Sequence, residues 1–232
     1  MIKSRWAQFF LYGMIAILGI LFLAYLFYGR GGPSQESVAV NSDTPPELVL
    51  GNFEMIEGTS YYVAEIFNDV PSSYYAYQSA RWYSIGTGGQ TRNLVFLDGE
   101  TLASTKLYDQ NSSFILSTVP FPQKSNNQEA STDQDLVPVQ WFVYYVVHTD
   151  SNNDGLLNES DQGVLAISDF NGLRYKEILP DALNLYELTM PENGRLLAVY
   201  QTTEGRYASM IDMPAQEIIH TEPLPELGTE VE

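Results

Sequence analysis

The chain has 232 residues, no cysteine, sixteen tyrosines, eleven phenylalanines and a formal charge of −18. Without cysteine there is no disulfide, no thiolate metal site and no cysteine nucleophile. Lys3, Arg5 and Arg30 are the only charges in the first thirty residues, so the remainder sets eight basic residues against 29 acidic ones, a net −21 that repels nucleic acid and anionic headgroups.

Residues 1–5 form a short basic tail. Trp6 to Gly29 follows without a single charge, twenty-four residues that include Leu11, Ile15, Leu18, Leu21, Phe22 and Leu26. A bilayer core of about 30 Å needs roughly 20 apolar residues in a helix, so the stretch predicts a transmembrane span. Trp6 and Tyr12 lie near one end and Tyr25 and Tyr28 near the other, where an aromatic belt belongs. Lys3 and Arg5 before the span favour a cytoplasmic N-terminus. The competing reading is a cleaved signal peptide with Ser37-Val38-Ala39 as its site. That tripeptide lies well past an apolar run that is itself longer than a signal core, so an uncleaved anchor is expected. Residues 30–46, with Gly31-Gly32-Pro33 and Pro45-Pro46, read as a linker.

From residue 47 to 222 the apolar runs are short and separated by turn residues, the pattern of strands. A lone strand is expected near Leu48–Met55, followed by three four-strand units. The first holds Tyr61–Phe67, Tyr77–Ile85, Arg92–Leu97 and Leu102–Tyr108. The second holds Phe114–Val119, Val139–His148, Val164–Ser168 and Leu173–Leu179. The third holds Leu185–Met190, Arg195–Gln201, Arg206–Ile211 and Glu217–His220. In each unit the third strand ends in Asp before a turn: Asp98-Gly99, Asp169-Phe170-Asn171-Gly172 and Asp212-Met213-Pro214. An aspartate at a turn start accepts a bond from its own backbone two residues on. The polar stretch between Pro120 and Val137 reads as a surface loop, and residues 223–232 as an acidic tail.

Gly163-Val-Leu-Ala-Ile-Ser-Asp169-Phe-Asn-Gly172-Leu-Arg174 resembles the strand–Asp–Gly turn of TolB-type β-propeller repeats. Leu196–Tyr200 followed by Tyr207–Asp212 is similar. The resemblance spans Tyr61 to His220 and implies an all-β, propeller-like domain of four-stranded antiparallel units. Closed propellers have 4–8 blades, and three units plus a strand are counted here. A small or incomplete propeller and a sheet curled into a sandwich both fit.

One motif carries chemistry. Counting Asp150 as position 1, oxygen side chains fall at 1, 3, 5, 9 and 12: Asp150, Asn152, Asp154, Asn158 and Asp161. Gly155 falls at 6, and Leu156 offers a carbonyl at 7. Ca2+ takes six to eight oxygens in loops of this spacing. The loop resembles EF-hand and, more closely, dockerin-type loops. It departs from the former in ending on Asp161 instead of Glu and in having strands on both sides. Leu157, at position 8, is expected to point inward. The bland alternative is an Asn/Asp-rich hairpin turn.

His148 and His220 are the only histidines, and no GxSxG, HExxH or phosphate-binding loop occurs. His148 is expected to brace a hairpin end and His220 to be exposed. The tyrosine clusters at Tyr61-Tyr62, at Tyr74, Tyr75 and Tyr77, and at Trp82-Tyr83 are expected to pack in a core. Together these features point to a non-enzymatic accessory or scaffold subunit in a bacterial inner membrane. Its domain would lie on the extracytoplasmic side, docked on an integral membrane complex of respiratory or photosynthetic kind and braced by a structural Ca2+. A stand-alone calcium-dependent peptide- or glycan-binding module and an envelope hydrolase are the alternatives.

Overall fold

The computed structural model describes residues 38–39, 47–68, 90–122, 137–192 and 194–226. The expected span at Trp6–Gly29 and the expected strand at Tyr77–Ile85 lie outside the described residues, as do the loop 123–136 and the end of the acidic tail. Among the described residues no helix is long and apolar enough to cross a membrane.

The described chain is all-β. Fifteen strands form in order: β1 (Val38–Ala39), β2 (Leu48–Leu50), β3 (Glu54–Met55), β4 (Tyr61–Asn68), β5 (Thr91–Asp98), β6 (Ser104–Lys106), β7 (Phe114–Phe121), β8 (Trp141–Val147), β9 (Leu156–Leu157), β10 (Gly163–Asp169), β11 (Lys176–Ala182), β12 (Asn184–Glu192), β13 (Arg195–Gln201), β14 (Arg206–Asp212) and β15 (Glu217–Pro223). Thirteen of them build three antiparallel sheets in chain order, β2-β4-β5-β6 with β3 also on β4, then β7-β8-β10-β11, then β12-β13-β14-β15, while β1 and β9 form a separate two-stranded sheet.

The second sheet is the middle of the stack, and β8 shows why. Its seven residues, Trp-Phe-Val-Tyr-Tyr-Val-Val, are all buried. Side chains alternate across a strand, so a continuous apolar run requires cover on both faces. Trp141, Val143 and Tyr145 enter one core, shared with Leu196, Ala198 and Ile211 of the third sheet. Phe142, Tyr144 and Val146 enter the other, shared with Val63, Leu94 and Phe96 of the first. Neighbouring strands obey the same parity: Leu165 and Ile167 of β10 face the third sheet, and Ala166 faces the first.

The first sheet corrects the expected strand order. β4 pairs directly with β5, from Tyr61↔Asp98 to Phe67↔Thr91, so no strand sits between them. Its other neighbour is the segment expected to stand alone: Leu48–Leu50 pairs Ile66–Asn68, and Glu54–Met55 pairs Tyr62–Val63. Residues 38–39, inside the expected linker, pair with Leu156–Leu157 as a two-stranded ladder.

The three aspartate turns are closed in two ways. Asp98 Oδ1 accepts the Glu100 N–H at 2.8 Å, and Asp212 Oδ1 accepts that of Ala215 at 2.8 Å. The Glu100 N–H, with Thr101 beside it, holds the half-buried Asp98 carboxyl below the usual carboxylate range. Asp169 instead uses its backbone carbonyl, which accepts the Gly172 N–H at 3.0 Å, and its side chain meets Arg174 at 3.4 Å. The two-residues-on bond at that turn falls to Asn171, whose Oδ1 accepts the Leu173 N–H.

Candidate metal centre

Residues 148–162 connect β8 to β10 and contain the five oxygen side chains. Leu157 fixes the loop to the body, as expected: it is 4% exposed and packs with Phe114 and Val147. Gly155 has φ +82, the left-handed region, and an added Cβ would meet nothing within 4 Å. The backbone conformation, and not lack of space, is what calls for glycine there.

The side-chain oxygens are organised by backbone N–H groups. Asp150 Oδ1 accepts Asp154 N–H at 3.1 Å and its Oδ2 accepts Gly155 N–H at 2.8 Å. Asn152 Oδ1 also accepts Asp154 N–H, at 2.9 Å, and Asp154 Oδ1 accepts Leu156 N–H at 2.8 Å. Asp154 Oδ2 takes the amide groups of Asn152 at 3.2 Å and Asn158 at 3.4 Å. Asn158 Oδ1 accepts Ser160 N–H at 2.7 Å. Positions 1, 3, 5 and 9 of the motif are therefore linked around Asp154.

Asp161 does something the spacing did not reveal. It is 0% exposed. Its Oδ1 accepts Ser151 N–H at 2.7 Å, Ser151 Oγ–H at 3.1 Å and Asn152 N–H at 3.3 Å, while Oδ2 accepts Asn158 N–H at 3.0 Å. The carboxylate thus staples the start of the loop to its end. An ionised carboxylate offers about four lone-pair sites, and Oδ1 has spent more than its share. What remains for a cation is one direction on Oδ2, together with unused capacity on Asp150, Asp154, Asn152 and Asn158. Leu156 is 36% exposed, opposite Ala39. Among the described residues no three His, Asp or Glu side chains converge as a ligand set by themselves. Any hard cation would depend on the asparagines, on carbonyls and on water, which is the chemistry of Ca2+ and not of zinc.

His148 lies at the head of this loop. Its Nδ1 is 2.8 Å from Ser113 Oγ and its Nε2 is 2.9 Å from Glu177 Oε1. It thereby ties the segment before β7 to β11, across the width of the second sheet, which is the bracing role expected of it. Nearby, Tyr108 donates to Tyr175 at 3.0 Å, with the rings edge to face at 5.0 Å. His220 is exposed, 2.9 Å from Glu222.

Burial pushes four tyrosines up: Tyr108, Tyr144, Tyr175 and Tyr145, the last to about 12, helped by the negative charge of Glu159. A phenol whose folded pKa lies above its unfolded value of about 10 adds stability below pH 10 and loses it as pH rises through the folded value. The protein will therefore lose stability steadily as pH rises above about 10 and will unfold cooperatively in that alkaline range. Tyrosinate absorbance will rise in step with loss of β-sheet circular dichroism. A tyrosinate titration completed while the sheets persist would refute this.

A cleft of about 540 Å³ lies elsewhere, lined by Gly58–Tyr61, Pro138–Trp141, Asp169 and Phe170. Tyr61 and Phe170 form one wall, edge to face at 5.3 Å, and both pack on the core beneath. Tyr61 thus follows the core expectation, while Tyr74, Tyr75, Tyr77, Trp82 and Tyr83 fall outside the described residues.

Compared with protein-family models and with curated proteins, the chain matches none.

Proposed function

We propose that this protein is a membrane-anchored, non-enzymatic scaffold subunit whose β domain docks on the extracytoplasmic face of a larger integral membrane complex. The observation that carries the reading is the unfinished stack. Among the described residues three large sheets pack face to face in chain order, the second covered on both sides, while the outer face of the third belongs to neither large core. On this reading the sheets are three blades of an incomplete propeller, since closed rings need at least four. The apolar run Trp6–Gly29 supplies the anchor. The arrangement closest to a nucleophilic triad among the described residues, Ser113–His148–Glu177, has a serine only 7% exposed, which suits a brace better than a nucleophile. The complex would be a respiratory or photosynthetic one in a bacterial inner membrane. The test is native mass and composition after mild detergent extraction from the protein's own membranes. A large assembly of defined composition is the expected result, and a lone monomer would refute the docking reading.

In the same proposal the 150–161 loop binds one structural Ca2+ through Asp150, Asn152, Asp154, Asn158, the Leu156 carbonyl and one oxygen of Asp161. The ion would take over Asp154 Oδ2 from the two asparagine amides. At a calcium concentration near 100 Kd the gain is about 2.7 kcal/mol, or roughly 5–10 °C in Tm for a domain of this size. Asp154→Ala will abolish that shift. An identical calcium-dependent shift in the variant would remove the assignment.

One observation favours a second reading, a stand-alone calcium-dependent module for a peptide or glycan. The cleft walled by Tyr61 and Phe170 has the volume of a small-ligand site. A monomer that binds such a ligand and releases it to chelator would decide for this reading.

A further inference from the structure

Among the described residues the face of the third sheet turned away from the second belongs to no core cluster, and its composition is set by register. Directly opposed residues of antiparallel strands share a face. Leu188, Ala198 and Ser209 stand in one such row, as do Leu196 and Ile211, and all are buried toward the second sheet. The intervening rows point away. They bring Leu197 beside Met210 and Val199 beside Ala208 at the sheet centre. These four are half-buried and belong to none of the three core clusters. The Val199–Ala208 row ends in carboxylates, with Glu187 opposite Val199 on one edge strand and Glu222 opposite Ala208 on the other, both exposed, while the Leu197–Met210 row ends in Thr189 and His220. Asp212 and Glu217 extend the acid along the sheet. The basic groups near this face are already engaged. Arg195 lies 3.6 Å from Glu192, Arg206 lies over the Tyr186 ring, and His220 is held by Glu222.

We infer that this face is the docking surface for a basic amphipathic segment of a partner protein, with apolar side chains that meet Leu197, Val199 and Met210 and lysines or arginines that meet Glu187 and Glu222. The inference rests on the docking reading above and names its surface and the chemistry of its partner. Charge complementarity selects the occupant. A second copy would bring carboxylates against carboxylates, between domains that each carry −21. A bilayer surface with anionic headgroups is repelled in the same way. A segment with an apolar ridge and cationic flanks satisfies both the centre and the rim, the usual division in protein interfaces.

The test uses the full chain in detergent and two short labelled peptides with the same leucine pattern, one flanked by lysines and one by glutamates. The lysine peptide is expected to bind, to weaken with salt, and to protect β13 and β14 from hydrogen exchange. The variant Glu187→Lys/Glu222→Lys, altered only at exposed positions, should bind it at least about tenfold more weakly. Leu197→Ser should weaken both salt-dependent and salt-independent binding. Equal binding of the glutamate peptide, unchanged affinity in the charge-reversed variant, or a doubled mass abolished by Leu197→Ser would each overturn the inference. The two claims separate in membrane extracts. An assembly that survives both sets of substitutions sinks this face and leaves the docking reading standing. The absence of any assembly with the wild-type chain sinks the docking reading, while the peptide assay still judges the face.

Discussion

Asp161→Ala will lower the unfolding free energy by about 3 kcal/mol, and will do so in the presence of chelator. No ion is involved. A fully buried carboxylate accepts four hydrogen bonds, three on one oxygen, from residues at both ends of the 150–162 loop. Bonds to a charged group contribute about 1.5–3 kcal/mol each, and removing the acceptor leaves its donors to find water. Ser151 and Asn152 are exposed and will be rehydrated, which is why the total stays below the simple sum. Asn158 is 3% exposed, and its N–H will bear most of the cost. Asp161→Asn keeps the shape but turns one acceptor into a donor facing an N–H, so it will recover little. Urea denaturation gives the size of the effect, and hydrogen exchange at Ser151, Asn152 and Asn158 gives its location. An unchanged midpoint would mean that the loop does not depend on this carboxylate.

That example marks how far spacing can be read. The pattern Asp150, Asn152, Asp154, Gly155, Asn158, Asp161 locates a tight loop, its left-handed glycine and its inward Leu157, because each follows from local backbone chemistry. It does not tell whether a carboxylate oxygen faces a cation or an amide, since both want the same lone pairs. Strands β8 and β10 were legible as apolar runs of strand length, buried on both faces, and β13 and β14 as runs that alternate between buried and half-buried positions, in each case in step with β propensity. The first sheet was not, because its order depends on which distant segment meets β4. Leu48–Leu50 carries no mark of its pairing with Ile66–Asn68. The same holds for Val38–Ala39, whose partners are more than a hundred residues away. Boundaries failed where a turn ran longer than its glycine implied. β11 was expected from Leu173 and begins at Lys176, because Arg174 also adopts a positive φ, 55°, and extends the turn. Nothing about an arginine announces that conformation.

Gly172→Ala at that same turn will cost about 3 kcal/mol, more than a surface turn substitution normally does. Two costs add. Gly172 has φ +77, and placing an L-residue there costs about 1 kcal/mol. The new Cβ would also lie 2.3 Å from the ring of Phe96, a distance at which something must move. Phe96 has little freedom to do so. It is 1% exposed and packs against Phe142 at 5.8 Å in the core between the first and second sheets. Overpacking of this kind costs a further 1–3 kcal/mol or so. The two components can be separated by a double-mutant cycle, because only the second depends on Phe96. Phe96→Leu alone will destabilise through a lost ring. Gly172→Ala added to Phe96→Leu will cost only the backbone share, about 1 kcal/mol, giving a coupling of about 2 kcal/mol. Additive costs would show that the ring yields freely and that the first and second sheets are packed more loosely at this point than the distances imply. Strong coupling would establish Gly172 as the place where the Asp169 turn of the second sheet touches the core of the first. The glycine would then serve the packing of two sheets as well as the turn of one.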